Sequence, residues 1–322
     1  MTPLEQVSRR LKLRDLQLFE AVARSGSIAK AAKHLNLTQS AASKAMAQLE
    51  RAAGVRLLDR STQGVEPTPY GRVLLDRSVA IFDELRQGMK EIEFLTDPTV
   101  GEVRIGTGEG MPPGLISAVI DRLLRQYPRF TFRVIQAATN DLQYRDLRER
   151  NVDLIFGRLT PSVTEKDLDV EILFNDPFLV VAGLNSKWLR RRRVEPAELI
   201  DEPWCLFDRH EFLLSVAKAF RAKGLEMPCR TIITNSVQLS FAMAATGNVL
   251  TVASASRLRL AGDRLGVRPI RIKLTLESFP TGIVTLKNRS IAPAAQRFID
   301  FARIVAKAFS RRSSTSGEPT PK

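Results

Sequence analysis

Between Ser27 and Gly54 the chain reads SIAKAAKHLNLTQSAASKAMAQLERAAG, two alanine-rich amphipathic stretches parted by a very short break, and few folds accept that arrangement. Ser27 is placed to cap a helix running to about Leu35, Asn36 and Leu37 make a short turn, and Thr38 caps a second helix that stops near Gly54. Two helices joined so closely form a helix-turn-helix. At about 100° per residue, Ala42, Ala45, Met46, Leu49 and Ala53 share one arc of the second helix, and Gln39, Ser40, Ser43, Lys44, Ala47 and Arg51 share the opposite arc. The first arc is suited to packing. The second carries short side chains that let a helix backbone approach the floor of a DNA major groove. On it, Gln39 can pair with an adenine edge and Lys44 with guanine or phosphate, and the Thr38 and Gln39 amides suit a phosphate. An ordinary helical hairpin with a solvated polar face has the same pattern, so the flanking segments decide between the two.

Those segments favour the groove-reading alternative. Upstream, DLQLFEAVARSG places Leu16, Phe19 and Val22 at core spacing. Downstream, GVRLLDRSTQGVEPT has the pattern of a hairpin wing, in which Arg56, Arg60 and the turn Thr62-Gln63-Gly64 can reach a sugar-phosphate backbone or minor groove. Lysine and arginine exceed acidic residues to give a net charge of +14, with twelve basic and six acidic side chains before Val73. Such a balance favours a polyanionic partner or an anionic ligand. The 34 basic and 24 acidic side chains after residue 95 show that the excess is not confined to one arm.

Thr68 as cap and Pro69 at the first helical position open a long helix predicted to reach Leu95. Leu74, Ile81, Leu85, Ile92 and Leu95 follow coiled-coil spacing, with Ser78 and Gly88 as weak points, so the helix is expected to pair two copies; packing on its own body is the alternative. Asp97-Pro98 stops it, and Gly101 permits a turn. From Val100 onward, the segments EVRIG, FTFRVIQA, VDLIFG, FLVVAG, WCLF, TIITN and VLTVAS alternate with helical stretches, which implies parallel sheets with crossover helices in two lobes. Ligands in open α/β sheets sit at strand carboxyl ends against helix N-termini. Here those ends are Thr107 to Met111, Ala138 to Asn140, Phe207 to His210 and Asn235 to Val237.

Several classes are disfavoured. The run Gly106-Thr107-Gly108-Glu109-Gly110 lacks the third glycine of a dinucleotide fingerprint, where Met111 stands. Cys205 and Cys229 are widely spaced, without Cys-x-x-Cys or nearby histidines, so neither a disulfide framework nor zinc is expected. No apolar run approaches bilayer length and the amino-terminal stretch lacks a signal-peptide core, so the expected compartment is the cytoplasm, without membrane association. His34 and His210 stand alone, no Gly-x-Ser-x-Gly occurs, and no catalytic constellation or cofactor is expected. The run Arg190 to Arg193 is a solvated loop by default, with nonspecific phosphate contact as the sharper alternative.

Leu16-Gln17-Leu18-Phe19, Gly26-Ser27-Ile28-Ala29-Lys30-Ala31-Ala32, Leu35, Thr38 to Ser43, Leu49-Glu50 and Gly54 to Arg60 resemble the LysR-type transcriptional regulators over roughly residues 11 to 75. The chain departs from that pattern with Leu58 in place of the usual phenylalanine, and with Tyr70 where a smaller residue is common. The resemblance implies an α+β multidomain chain. Residues 1–68 would form a winged helix-turn-helix and 69–98 a linker helix and hinge. Residues 99–310 would form a two-lobed α/β effector domain like a periplasmic binding protein, with the chain crossing between lobes, and 311–322 a disordered tail. DNA contacts are expected from Thr38, Gln39, Ser40, Ser43, Lys44, Arg51 and Arg60, and dimer contacts from Leu74, Ile81, Leu85 and Ile92. By the same similarity Thr107, Thr139, Asn140, His210 and Ser236 match cleft positions, although Asn140 and Ser236 equally suit helix capping. The implied partners are a double-stranded operator with an inverted repeat, a small anionic effector such as a carboxylate or sugar acid, a second copy in a homodimer or homotetramer, and RNA polymerase. The rival expectation is a solute-binding protein or metabolic enzyme with an incidental helical head.

Overall fold

The computed structural model describes residues 11–61, 64–108, 112–137, 140–159 and 166–313 of the 322. The chain divides into two compact units, residues 1–89 and 90–322.

The first unit opens with α1 (Leu13–Ser25), α2 (Ile28–His34) and α3 (Gln39–Ala53). The Ser27 hydroxyl accepts from the Lys30 amide and the Thr38 hydroxyl from the Ala41 amide, so both expected caps form. Asn36 takes φ 55° between the two helices, and Gly26 and Gly54 end α1 and α3 in left-handed conformations. Leu16, Phe19 and Val22 of α1 meet Ala42, Met46 and Leu49 of α3 in one core, which Leu57 and Leu58 complete. Leu58 thus fills an interior position. The antiparallel wing consists of β1 (Leu58–Ser61) and β2 (Gly64–Pro67), in register Arg60 to Val65. Thr62 and Gln63, expected at its tip, lie outside the described residues.

Helix α4 (Pro69–Thr96) has 28 residues, about 42 Å at 1.5 Å per residue. Thr68 caps it by accepting from the Gly71 amide, while its own hydroxyl donates to the Arg56 carbonyl. Gly71 is obligatory here, because a Cβ on it would lie 2.0 Å from the Leu57 carbonyl oxygen. Tyr70 is exposed.

The second unit has two lobes. In the first, β3 (Val100–Thr107) pairs in parallel with β4 (Arg129–Gln136) and β5 (Leu154–Arg158). Helices α5 (Ser117–Gln126) and α6 (Asn140–Arg148) connect them, α5 after a wide helical turn, Pro112–Ile116. In the second, β7 (Trp204–Phe207) pairs in parallel with β8 (Thr231–Thr234) and β9 (Leu250–Ser254), joined through α7 (His210–Arg221) and α8 (Val237–Ala245). The parallel expectation holds only for these two triplets. Strand β6 (Leu168–Gly183) is one 16-residue element whose first half runs antiparallel to β11 (Ser278–Leu286) in the first lobe. Its second half runs antiparallel to β9 and to β10 (Val267–Pro269) in the second. The sequence segment FLVVAG is therefore the latter half of a strand shared by both sheets. The strand order is β4-β3-β5-β11-β6-β9-β7-β8, with β10 also on β6.

The short α9 (Ala255–Ala261) follows β9, and α10 (Pro293–Ser313) closes the chain on the first lobe, where Phe298 packs edge-on against Phe156. Helix α10 continues past residue 311, where the tail was expected to begin; residues 314–322 lie outside the described residues. Gly101 lies within β3 and makes no turn. It is needed because a Cβ there would lie 2.6 Å from the Ala294 Cβ of α10. The chain stop before it is an Asp97 turn, in which the carboxylate accepts from the Thr99 amide and hydroxyl and from Arg129.

Candidate nucleic-acid interface and effector cavity

Packing of Ala42, Met46 and Leu49 inward turns the other arc of α3 to solvent. Thr38, Gln39, Ser40, Lys44, Ala47 and Arg51 are exposed and Ser43 is half-buried, so the expected strip is open in the head and made of short side chains between two cations. Arg56 and Arg60 are exposed beside it. A contact not anticipated from sequence fixes the wing to this helix: the Glu50 carboxylate accepts from the Leu57 and Leu58 amides at 2.9 and 3.2 Å. The wing is held at its other strand by the Val65 amide, which donates to the Gly26 carbonyl. Reading helix and wing therefore move as one body. The signal for the Glu50 contact was present as an acid late in a basic helix, one turn before Gly54.

On α4, Ile81, Leu85, Met89, Ile92 and Leu95 are exposed, between 41% and 77%, which leaves an apolar stripe without cover in the single chain. Leu74 departs from the expectation. It packs with Leu75 and Phe82 against the head core and is only partly accessible. Ser78, expected to weaken the seam, is fully buried and donates to the Leu74 carbonyl.

The effector expectations fare differently. Thr107 is fully buried, and its hydroxyl donates to the Phe156 carbonyl at 2.9 Å, so it serves the sheet. The Ser236 hydroxyl caps α8 by accepting from the Leu239 amide, and His210 is exposed at the start of α7. Thr139 and the side chain of Asn140 lie outside the described residues. Of the described ones, Thr107, His210 and Ser236 do not line the cavity found where the chain crosses between lobes.

That cavity, of about 60 Å³, is bounded by Arg158 from the end of β5, Phe178 from the second half of β6, Phe207 at the end of β7, Ser240 and Phe241 of α8, and Arg257 of α9. The Arg158 guanidinium lies 4.3 Å from the Phe178 ring centre and 5.4 Å from that of Phe279. Arg257 lies 4.3 Å from that of Phe241. Such contacts stabilise a cation without neutralising it. Burial pulls the Arg158 guanidinium down to about 10, Asp176 opposes that pull, and Arg209 and Arg257 add to it. Among the described residues the cavity wall thus carries two guanidiniums, Arg158 and Arg257. Asp176 itself accepts from the Ser256 amide at 3.0 Å and from the Ser256 hydroxyl at 2.5 Å, at the start of α9. Sequence spacing gave no access to this group, because its members come from four strands and three helices. The trace it left was a cation closing the apolar strand LIFGR.

Away from these sites, a second charged cluster fastens the amino-terminal end of the body. Buried Asp153 receives Arg104 at 2.7 Å, Arg289 at 3.3 Å and Lys90 at 3.7 Å. In the Arg190–Arg193 run, Arg191 pairs with Glu198 and Arg193 with Glu195 at exposed positions, as in a solvated loop. Among the described residues no group of histidine, cysteine and acidic side chains could hold a metal ion, and no helix is long and apolar enough to cross a membrane.

A winged helix-turn-helix with an open reading helix, followed by a two-lobed body around a charged cavity, defines a ligand-responsive DNA-binding regulator. Two family models match. The bacterial regulatory helix-turn-helix protein of the lysR family covers residues 13–72, and the LysR substrate binding domain covers residues 96–307. The chain belongs to the LysR family of DNA-binding transcriptional regulators. It is 30% identical to the HTH-type transcriptional regulator GbpR of Azospirillum brasilense, across 97% of this chain and 91% of that one. It is 28% identical to TdcA of Escherichia coli, across 91% and 92%. Full-length OxyR from Pseudomonas aeruginosa superimposes with a TM-score of 0.65 at 20% identity, covering 92% of this chain and 97% of that one. Full-length CbnR in complex with its target DNA superimposes with a TM-score of 0.53 at 22% identity, covering 92% and 100%. These two likenesses confirm the fold.

Proposed function

We propose that this regulator works in the cytoplasm as a homodimer, assembling further to a tetramer, that reads an inverted-repeat operator through α3 and responds to a small anionic effector in the body. The observation that carries the reading is the open strip on α3, where Gln39, Ser40, Ser43 and Lys44 are free of the head's own core and Arg60 of the wing stands beside them. A stripe of Ile81, Leu85, Ile92 and Leu95 on α4 supports pairing of two heads, which matches protein symmetry to operator symmetry. The two guanidiniums in the cavity wall, Arg158 and Arg257, support an anionic effector. Effector occupancy then changes the spacing of the heads, and RNA polymerase is the partner on which that change acts. The output is a change in transcription, with no chemical conversion of the effector.

The deciding experiment is a gel-shift titration on promoter fragments at several salt concentrations. Tight, sequence-selective binding is expected. Replacing Lys44 by alanine lowers the slope of log affinity against log salt by about 0.9 for each phosphate that is no longer neutralised, hence by about twice that in a dimer. Weak binding indifferent to sequence would overturn the reading in favour of a solute-binding protein.

A further inference from the structure

One carboxylate sits where the reading helix, the wing and the long helix α4 meet. Glu50 lies in the last turn of α3, half-buried, three residues before the helix ends at Ala53. A carboxylate there faces the negative end of the helix dipole, which disfavours it unless donors compensate. The donors are the Leu57 and Leu58 amides, and a single oxygen, Oε1, accepts from both, at 2.9 and 3.2 Å. Leu57 and Leu58 are each 2% exposed, so their amides cannot turn to water while the root of the wing stays in place.

The same root is held from its other side by the start of α4. The Thr68 hydroxyl donates to the Arg56 carbonyl at 2.8 Å and accepts from the Gly71 amide at 3.0 Å, and the Thr68 amide donates to the Leu57 carbonyl at 2.9 Å. A continuous hydrogen-bonded path therefore runs from the first turn of α4, through the root of β1, to Glu50 in the last turn of α3. Held from both sides, the root has one position. Without the Glu50 oxygen it follows α4 alone, and two buried donors are left to seek water. Arg60 is exposed on the same strand, two residues or about 7 Å beyond Leu58, so any displacement of the root is carried to it.

On the reading that α3 and the wing bind one duplex, we propose that Glu50 is a positioning residue for that binding. Its Oε1 sets the distance between the strip on α3 and Arg60 of the wing, so that a single duplex meets Gln39, Ser43 and Lys44 on one side and Arg60 on the other. Its negative charge is unsuited to phosphate and is spent on protein donors instead. Glu50 thus acts on DNA through Arg60 and not by contact of its own.

The test is a double-mutant cycle on the full-length chain, read in gel-shift titrations of one operator fragment at several salt concentrations. Arg60→Ala alone is expected to weaken operator binding and to lower the slope of log affinity against log salt by about 0.9 for each phosphate no longer neutralised. Glu50→Ala is expected to weaken binding by about tenfold or more. In that background Arg60→Ala should change neither affinity nor slope, whereas Lys44→Ala, on α3 itself, should keep its full effect. A Glu50 kept only for stability would lower the thermal midpoint and leave the effects of Arg60→Ala and Lys44→Ala both at their wild-type size. Glu50→Gln, which retains Oε1 as an acceptor for both amides, is expected to restore wild-type binding and the full effect of Arg60→Ala. Should Glu50→Ala not fold, Glu50→Asp, whose acceptor falls one methylene short of the amides, takes its place in the cycle with the same expected outcome. The proposal is overturned if Arg60→Ala has no effect in the wild type, if its effect persists undiminished beside Glu50→Ala, if Lys44→Ala loses its effect there as well, or if Glu50→Gln is as impaired as Glu50→Ala. A wild type that binds DNA without regard to sequence overturns the reading through α3 itself, before Glu50 is touched.

Discussion

At the scale of single residues, the structure separates side chains that hold the scaffold from those left available. Thr38 and Ser27 are legible from sequence because a cap acts within three residues of itself, and both form as expected. Thr107 is not, because its partner, the Phe156 carbonyl, lies 49 positions away on a neighbouring strand. Asp153 shows the same long-range logic. Burial alone would push its carboxyl up, but hydrogen bonds from Arg104 and the charges of Lys90 and Arg104 outweigh that and hold it below the ordinary carboxylate range. A carboxylate depressed in the folded state contributes stability that is complete above the unfolded value, about 3.9, and is lost as pH falls through the folded one. The thermal midpoint of the wild type should therefore decline steeply below about pH 4. Asp153→Asn leaves Arg104, Arg289 and Lys90 around a neutral group. It should cost about 3–5 kcal/mol at neutral pH and remove this residue's share of the acid decline, as denaturant melts at pH 7 and pH 3.5 would measure. A variant as stable as the wild type at pH 7 would show that the cluster is incidental.

At the scale of elements, local periodicity locates the helices and strands from α1 to β9 apart from the first half of the shared strand, while α9, β10, β11 and α10 escape it. A run of hydrophobic alternation does not announce that its first half pairs with one sheet and its second with another, so β6 reads as the short FLVVAG. The same limit applies to α4. Its heptad spacing is plain in Leu74, Ile81, Leu85, Ile92 and Leu95, yet the spacing cannot tell which turns the head will cover, and the head covers Leu74. Leu85 lies farther along, half exposed in the single chain. A carboxylate there would be brought against its counterpart and against Ile81, Ile92 or their equivalents when two stripes meet, at a desolvation cost that no partner offsets. Leu85→Asp should therefore convert the dimer to monomer in sedimentation analysis and remove operator binding in the same preparation, while leaving the far-ultraviolet circular dichroism unchanged. Tight operator binding by a monomeric Leu85→Asp protein would show that α4 does not pair the heads.

At the scale of the whole molecule, the proposal that the +14 charge serves both DNA and an anionic effector predicts opposite sensitivities for the two. Lys44, Arg51 and Arg60 are open to solvent, so any DNA contact they make is screened by salt and weakens with each released counterion. Arg158 lies in the cavity wall, its Nε sealed from water, where screening by mobile ions is small. Affinity for an anionic effector should accordingly change much less than operator affinity between 50 and 200 mM salt, a range over which several phosphate contacts cost on the order of a thousandfold. The pH response follows from the same burial. A cation pulled down to about 10 is still protonated throughout the neutral range, and a bound carboxylate would draw its proton affinity back up. Affinity for an anionic effector should then be flat from pH 6 to pH 9 and weaken as pH passes 10, where Arg158 loses its proton in the empty site. Calorimetry of the full-length chain across that range is the check. A loss centred well below pH 9 would show that a group other than Arg158 holds the effector.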